Sequence, residues 1–207
     1  MNEATETMKP ERDETVEPCV GQQRRVIRPG ALRLGYADPP YIGQAQKHYS
    51  HDERCAEVDH AELIARLEAE FDGWALSFGV NLPALQEVVA LLPEGSRVAV
   101  WVKPFASFKP GVNPGYTWEG VAFRSARPNR RDVATVKDHH IENITLRKGL
   151  SGAKPSGFCL WLFDLLGAEA DDTFEDLYPG TGGVSEAWRN WQRRQRRQAV
   201  QLSFEGV

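Results

Sequence analysis

The sequence predicts a single α/β domain in which helices cover both faces of a β-sheet. Short apolar segments typical of buried strands alternate with longer segments of helical periodicity. Glycine and proline residues separate these segments, and no internal repeat is present. A chain of 207 residues is long enough to bury one substantial core. Strands that alternate with helices along one chain imply a layered α/β sheet.

The first half of the chain contains three predicted strands and two predicted helices. The strands are apolar runs at residues 31–37, 74–78 and 97–102. Residues 61–71 place apolar side chains at helical spacing on one face, which predicts the first helix. The second helix starts near Asn81, a residue that caps helices, and ends before Pro93.

The second half begins with an irregular stretch, 103–118, that is rich in proline and glycine. Further strands are predicted at residues 119–123, 143–146, 173–178 and 199–204. Ser156 suits a helix start, and the apolar run that follows it stops at Gly167, a typical C-terminal cap. The last predicted helix covers 184–198.

Charge and composition exclude several classes of protein. The formal net charge is -4, with an acidic excess in the first 20 residues, so we expect a disordered acidic tail over 1–25 and a single domain over 26–207. No apolar stretch is long enough to span a bilayer, and the first residues do not resemble a secretory signal. Three scattered cysteines argue against a disulfide scaffold. We therefore expect a cytoplasmic protein without a membrane partner.

A glycine-containing corner at 175–183 follows a predicted strand and opens a predicted helix. Glycines there permit positive φ and close approach of a ligand, and open α/β sheets bind ligands at the carboxyl ends of strands. Glu205 lies about as far downstream as the acidic residue that binds ribose in dinucleotide folds, roughly 20 residues. The segment lacks the complete dinucleotide or P-loop pattern, so an ordinary strand–turn–helix corner stays open as an alternative.

A second corner, Asp38-Pro39-Pro40-Tyr41, follows the first predicted strand. The two prolines remove backbone donors and fix φ, which makes the turn rigid. The Asp38 carboxylate and the Pro39 carbonyl can accept the two N–H groups of an exocyclic amine, while Tyr41 stacks on the ring that carries it. The alternative is a rigid surface turn. If both corners bind ligands, we expect them to form adjoining walls of one cleft.

The order of three motifs along the chain resembles that of amino-methyltransferases that use S-adenosylmethionine (SAM). Ala37–Tyr41 comes first, Gly152-Ala153-Lys154-Pro155 comes late, and Asp176–Gly182 comes last. This order is similar to that of beta-class DNA adenine methyltransferases and the related group that includes eukaryotic mRNA adenine methyltransferases. The sequence as a whole resembles those of small phage or bacterial DNA methylases. The resemblance implies a Rossmann-like, mostly parallel sheet in a circularly permuted class I arrangement.

By this resemblance, the chain transfers a methyl group from SAM to the exocyclic N6 amine of adenine in double-stranded DNA. The implied catalytic residues are Asp38, Pro39, Pro40 and Tyr41. The implied cofactor-binding residues are Ala37, Lys154, Asp176, Tyr178, Gly180, Thr181, Gly182 and Glu205. Basic residues of the 103–150 region, the candidate target-recognition region, are expected to contact phosphate. They are Lys109, Arg124, Arg127, Arg130 and Arg131.

Other acceptors and roles stay open at this stage. With the same cofactor, the acceptor could be cytosine N4, an RNA adenine or a protein amide. A non-catalytic nucleic-acid-binding subunit with this fold is the rival of another class. No large recognition domain is evident beyond 103–150, so a second copy or a partner subunit could complete the enzyme. The resemblance places the protein in the cytoplasm of a bacterial or phage-infected cell.

Two histidine-containing segments invite other functions. The spacing of the first, H-x2-H-x3-C-x4-H, matches no usual zinc template, and we expect no metal. Its residues are His48, His51, Cys55 and His60. The adjacent pair His139-His140 suggests a polar loop. Core packing is expected for Cys159, Trp161, Trp188 and Trp191, the last two docking the final helix on the sheet.

Overall fold

The computed structural model describes residues 30–40, 58–105, 111–128, 131–144 and 153–205. The strands are β1 (Arg33–Ala37), β2 (Gly73–Phe78), β3 (Arg97–Val102), β4 (Trp118–Arg124), β5 (His139–Ile141) and β6 (Thr173–Asp176). The helices are α1 (His60–Glu70), α2 (Leu82–Leu91), α3 (Ser156–Leu166) and α4 (Gly183–Glu205). Tyr41, Lys109, Arg130 and the first three residues of the zinc-like segment lie outside these ranges.

The strands form one sheet in the order β5-β3-β4-β2-β1-β6. β1 pairs in parallel with both β2 and β6, and β3 pairs in parallel with β5. β4 is antiparallel to both of its neighbours, β2 and β3, so it runs against the other strands. The predicted α/β class with a mostly parallel sheet is confirmed. The candidate recognition region contributes β4 and β5 to this sheet.

One face of the sheet is covered by α3 and α4. The indole rings of Trp188 and Trp191 stack 4.8 Å apart and pack with Phe163 and Phe174 in the same buried cluster. Gly167 ends α3 with φ 69°, as predicted for a C-terminal cap. The expectation that the two tryptophans dock the last helix is confirmed, as is core packing of Cys159 and Trp161.

The opposite face is covered by α1 and α2. The apolar side of α1 buries Leu63, Ile64 and Leu67 against β2. Each helix begins at a polar cap: the Asp59 side chain accepts a hydrogen bond from the Glu62 backbone N–H at 3.0 Å, and Asn81 caps α2 in the same way. α1 and α2 therefore match the helices predicted from periodicity and capping.

The strand predicted at 143–146 is wrong where the structure describes it, because residues 143 and 144 form no strand. The segment that pairs is β5, which begins four residues earlier. The predicted polar loop at His139-His140 is also wrong, since these residues pair with β3. Adjacent strand residues point to opposite faces. The His140 ring accordingly stacks on Trp161 at 5.6 Å, while the His139 side chain is exposed.

The final strand predicted at 199–204 is wrong, because α4 continues through Glu205. No glycine or proline follows Gly183 in this helix, so nothing in the sequence stops its propagation. At about 1.5 Å per residue, the end of α4 lies about 30 Å along the axis from its start. Glu205 therefore does not follow a strand beside the glycine corner, and its role as a ribose ligand, which was inferred from that strand, stays a prediction. Within the described ranges, no helix combines the length and apolar character required of a membrane span.

Replacing Trp188 by alanine is expected to lower the free energy of unfolding by about 3–5 kcal/mol, because a buried, stacked indole is lost and a cavity is left. Urea denaturation measures the change. Leu82→Ala is the control, since Leu82 is 64% exposed and should change the value by less than about 0.5 kcal/mol. Equal effects of the two substitutions would contradict the packing assigned to α4.

Candidate active site

The two corners singled out in the sequence adjoin at the carboxyl edge of the parallel strands. Tyr36 near the end of β1 lies opposite Asp176 at the end of β6. The Leu177 backbone N–H donates to the Tyr36 carbonyl oxygen at 2.9 Å, which extends the pairing beyond both strands. Asp38 and the glycine corner therefore leave the sheet side by side. The expected juxtaposition of the two corners is confirmed.

The connections from these two strands lead to opposite faces of the sheet. After β1, the next described helix is α1, which packs with the cluster around Leu67 and Leu76. After β6, the chain enters α4, which packs with the cluster around Trp188 and Phe163. Open α/β sheets form a ligand-binding crevice where neighbouring strands diverge in this way. Both corners lie at this crevice.

The glycine corner adopts backbone conformations that favour glycine. Gly180 has φ 47° and Gly182 has φ 77°. The turn is closed by a hydrogen bond from the Gly182 N–H to the Pro179 carbonyl oxygen at 2.6 Å, and α4 starts at the next residue. A Cβ atom added at Gly182 would meet nothing within 4 Å. The corner thus places open space next to a helix start, where backbone N–H groups favour polar or anionic groups.

Asp38 is held by Lys154. The two side chains approach to 3.1 Å between Oδ1 and Nζ, with Asp38 24% exposed and Lys154 only 5% exposed. Burial raises the pKa of Asp38, while the Lys154 ammonium opposes that rise. By the resemblance, Lys154 lies near the carboxylate of the cofactor or the adjoining loop, and this role stays a prediction. The structure places its ammonium against the carboxylate of the proline corner.

Two further charges, missed by the sequence analysis, extend this contact. The Lys154 ammonium also donates to Glu119 Oε2 at 3.0 Å, and Glu119 Oε1 accepts from Lys103 Nζ at 2.6 Å. Asp38, Lys154, Glu119 and Lys103 thus form a row of alternating charge, called here the charge row. Burial acts to raise the pKa of Glu119, but the two lysines lower it to about 2. Glu119 is therefore a carboxylate at neutral pH.

Aromatic rings support the two lysines of the charge row. Lys103 Nζ lies 5.4 Å and Lys154 Nζ lies 5.2 Å from the centre of the Trp101 ring. Lys154 Nζ also lies 5.6 Å from the Phe158 ring of α3. Such contacts stabilise a cation by about 0.5–2 kcal/mol. Two ammonium groups are thus held around one buried indole.

The start of α3, directly after Lys154-Pro155, is fixed by a carboxylate from another element. Pro155 has no side chain that can cap the helix, and Glu142 accepts a hydrogen bond from the Phe158 N–H at 2.8 Å instead. The same carboxylate lies 2.9 Å from His140 Nε2. A Cβ atom at Gly157 would clash with Glu142, which explains the glycine at this position. Glu142 therefore anchors the segment that carries Lys154.

The Asp38 carboxylate also acts electrostatically on the carboxyl group of Asp176. Burial, together with the nearby Asp38 carboxylate, raises the pKa of Asp176 to about 6, although a hydrogen bond from the Tyr178 N–H opposes the rise. Below the crevice, the buried hydroxyl groups of Tyr36 and Ser77 are 2.8 Å apart. Desolvation of a carboxyl group beside open space is typical of a ligand-binding position.

Two of the predicted phosphate contacts lie away from this site. Arg124 pairs with Trp74 near the amino end of β2, at the opposite edge of the sheet, and its side chain forms an ion pair with Glu68. The Arg127 guanidinium donates to both oxygens of buried Asp172, at 2.6 and 2.8 Å. Both arginines bind carboxylates within the fold, and their role as phosphate contacts stays a prediction.

The remaining predictions for the site have mixed outcomes. Arg131 is exposed, and its role as a phosphate contact stays a prediction. His60, the one described member of the zinc-like segment, is buried with Nδ1 3.1 Å from Glu87 Oε1. Among residues that the structure describes, no group of three or more His, Cys, Asp or Glu side chains could hold a metal ion.

Comparisons with known proteins agree with this architecture. No protein-family model matches the chain, and no curated protein matches its sequence. A crystal structure of an M1.HpyAVI–SAM complex is similar, with a TM-score of 0.50 and 14% identity over 79% of each chain. A second crystal structure of M1.HpyAVI has a TM-score of 0.48 and 14% identity over 79% of this chain and 77% of that chain.

The chain has a Rossmann-like fold that is similar to that of the M1.HpyAVI–SAM complex. In this fold, the charge row and the glycine corner lie at the edge of the sheet where ligands bind. Among the described strands, the acidic corner follows the first and the glycine corner follows the last.

Asp176→Asn is expected to stabilise the ligand-free protein by about 1–2 kcal/mol at pH 7 and by less at pH 4. The raised pKa means that folded Asp176 binds a proton more tightly than the unfolded chain does. The stability from that proton is fully present below pH 4 and is lost as the pH rises through 6. Urea denaturation at both pH values tests this.

The control for that experiment is Asp171→Asn, because the Asp171 side chain is 87% exposed. A change in stability at Asp176 that is the same at pH 4 and pH 7 would contradict the raised pKa.

Proposed function

We propose that this chain transfers a methyl group from SAM to the exocyclic N6 amine of adenine in DNA. The observation that carries the proposal is the juxtaposition of the Asp38 corner with the glycine corner at one crevice. The likeness of the fold to that of an M1.HpyAVI–SAM complex supports it. The order of the motifs supports a circularly permuted arrangement of the class I methyltransferase type.

The glycine corner fits SAM. Open space at Gly182 admits a ligand against the backbone, and the start of α4 offers N–H groups to its polar end. A ligand hydroxyl or amine that donates to Asp176 would favour its ionised form, which burial disfavours. The residues that would hold the cofactor are Ala37, Asp176, Tyr178, Gly180, Thr181 and Gly182. When bound, SAM supplies a methyl group on a positively charged sulfur.

Asp38 and Pro39 are the acceptors for the amine. The lone pair of an aromatic amine is delocalised into its ring, so the nitrogen is a poor nucleophile. Hydrogen bonds from its two N–H groups to the Asp38 carboxylate and the Pro39 carbonyl favour a tetrahedral nitrogen and stabilise the positive charge that develops on it. Pro40 keeps the corner rigid, and Tyr41 serves as the stacking platform for the base.

The substrate proposed is double-stranded DNA, so the target base must leave the helix to reach Asp38. Lys103 and Lys154 supply positive charge near the site, but both ammonium groups form ion pairs with a carboxylate of the fold. Phosphate contacts are therefore assigned to Arg131 and to Lys109 and Arg130. A second copy or partner subunit would add further contacts to DNA.

Asp38→Ala is expected to lower methyl transfer at least about 100-fold, because the acceptor for the developing charge is removed. SAM affinity should change less than tenfold, since Asp38 faces the amine. Tritiated SAM with adenine-containing duplex DNA measures transfer, and calorimetry measures binding. Asp171→Ala is the matched control. Full activity of Asp38→Ala would overturn the role assigned to Asp38.

The same assay with cytosine-only DNA, RNA and protein substrates identifies the acceptor. Sequencing of DNA for modified bases, after expression in a methylation-free host, tests the proposal in cells. Absence of methylated adenine there, together with transfer to another acceptor in vitro, would replace adenine in DNA as the substrate. Binding of DNA without any transfer would favour a non-catalytic subunit.

Gly182→Val is expected to weaken SAM binding at least tenfold, because a branched side chain would fill the open space and resist the positive φ. Gly95→Val is the matched control, since Gly95 has φ 85° with open space around it, in the turn that precedes β3. Both variants carry similar backbone strain, so calorimetry with SAM isolates the ligand contact. Equal affinity in the two variants would place the cofactor elsewhere.

A further inference from the structure

We propose that Glu119 and Lys103 are positioning residues that divide the Lys154 ammonium between two carboxylates and so set the proton affinity of Asp38. The inference rests on the proposed function in taking Asp38 as the acceptor for the amine. Neither residue belongs to the acidic corner or the glycine corner. Each pairs with a neighbour in the charge row, and the charges of both also act on Asp38 through space.

The Lys154 ammonium is shared almost evenly. Its distances to Asp38 Oδ1 and Glu119 Oε2 are 3.1 and 3.0 Å. Because Lys154 is nearly buried, its attraction to each carboxylate is stronger than it would be in water. Any change that strengthens one of the two contacts weakens the other. Glu119 therefore competes directly with Asp38 for the same cation.

Lys103 limits that competition. Its ammonium lies 2.6 Å from Glu119 Oε1, on the oxygen that Lys154 does not contact. A carboxylate that is already paired has less attraction for a second cation. Lys103 thus leaves more of the Lys154 charge to Asp38. The ring of Trp101 lies within cation–π distance of both ammonium groups and supports this spacing.

The charge row balances as two cations and two anions. An unpaired charge in a largely buried site carries a desolvation penalty. The remaining groups that face Asp38 are the Asp176 carboxyl from β6 and the buried Tyr36 hydroxyl from β1. An ionised Asp176 electrostatically opposes a negative charge on Asp38, whereas the Tyr36 hydroxyl is neutral, because burial holds its pKa well above the ordinary value. The row is therefore the source of the positive potential that keeps this carboxylate available as a hydrogen-bond acceptor.

The sharing meets two opposing requirements. Without a cation beside it, buried Asp38 would bind a proton and lose its capacity to accept from the amine. If Lys154 were paired with Asp38 alone, the Asp38 oxygens would be weaker hydrogen-bond acceptors, because the ammonium would neutralise more of their negative charge. Division of one ammonium between Asp38 and Glu119 gives an intermediate state. This arrangement predicts the direction in which substitution of Glu119 or Lys103 shifts the pKa of Asp38.

Removing the charge of Glu119 and removing the charge of Lys103 should shift the apparent pKa of Asp38 in opposite directions. Glu119→Gln removes the competing anion, so the apparent pKa of Asp38 should fall by about one unit. Lys103→Met leaves Glu119 to draw Lys154 away, so that pKa should rise by about one unit. The double variant restores neutrality, and its value should lie between those of the single variants.

The measurement is a carbon-13 carboxyl NMR titration of the SAM-free protein, with the Asp38 resonance assigned through Asp38→Asn. Lys103→Arg should stay within about 0.3 unit of the wild type, because the charge is kept. Glu68→Gln is the matched control, since it removes the ion pair with Arg124 at the far end of β4. The acidic limb of the pH profile of kcat/KM should move with the NMR value in each active variant.

Shifts of the same sign in both single variants, or no shift in either, would overturn the inference. So would a double variant whose value lies outside the range of the single variants. If Glu119→Gln does not fold, the sign of the shift in Lys103→Met decides alone. Failure of the wild-type protein to methylate any acceptor would overturn the proposed function, whereas the titration would still decide the role of the charge row.

Discussion

The parallel pairing of β1 with β6 is the constraint on which the candidate site depends. These strands lie far apart in the chain, yet Tyr36 and Asp176 are neighbours in the sheet. Because both strands run in the same direction, the corners that follow them emerge at the same edge. The helices that follow these strands, α1 and α4, lie on opposite faces of the sheet. The two connecting segments therefore diverge at this edge, which is where open α/β sheets bind ligands. The tryptophan cluster under α4 holds the second corner in place.

In the charge row, each buried charge beside that crevice is paired with a charge of opposite sign. Asp38 and Lys154 are too buried to be left unpaired, and each is matched by a neighbour of opposite sign. The row ends at Lys103, at the close of β3, so it spans the sheet from β1 across β4 to β3. Glu142 fixes the segment that delivers Lys154. Several elements thus determine the environment of a single carboxylate.

The direction of β4 decides where Glu119 and Arg124 lie relative to the site. An antiparallel strand brings its first residues to the edge where its parallel neighbours end. Glu119 consequently lies at the site, and Arg124, at the other end of β4, lies on the far side of the sheet. A hairpin interpretation of β3 and β4 could have found Glu119, because Lys103 and Glu119 flank the connecting loop. Periodicity alone gives no strand direction, so the arginines were assigned to phosphate by charge.

The failed strand at 199–204 has a different cause. The predicted segment covers six residues, whereas α4 contains no residue that would end it before them. Likewise, His139 and His140 were interpreted as polar, but the partner strand and the ring of Trp161 stabilise them in β5. In both cases the neighbouring structure outweighed a local pattern of two to six residues.

The sequence by itself determined the α/β class, most helix limits and the two corners, because these follow from local rules. Periodicity marks buried faces, and Asn81 and Gly167 mark helix ends. Consecutive prolines restrict a turn, and glycines permit positive φ in it, wherever the turn lies. Only the tertiary structure decided that the corners adjoin, that Lys154 faces Asp38, and that Glu119 and Lys103 complete the row. Those contacts depend on strand order and direction, which arise when the whole core is buried at once and are encoded in no single segment.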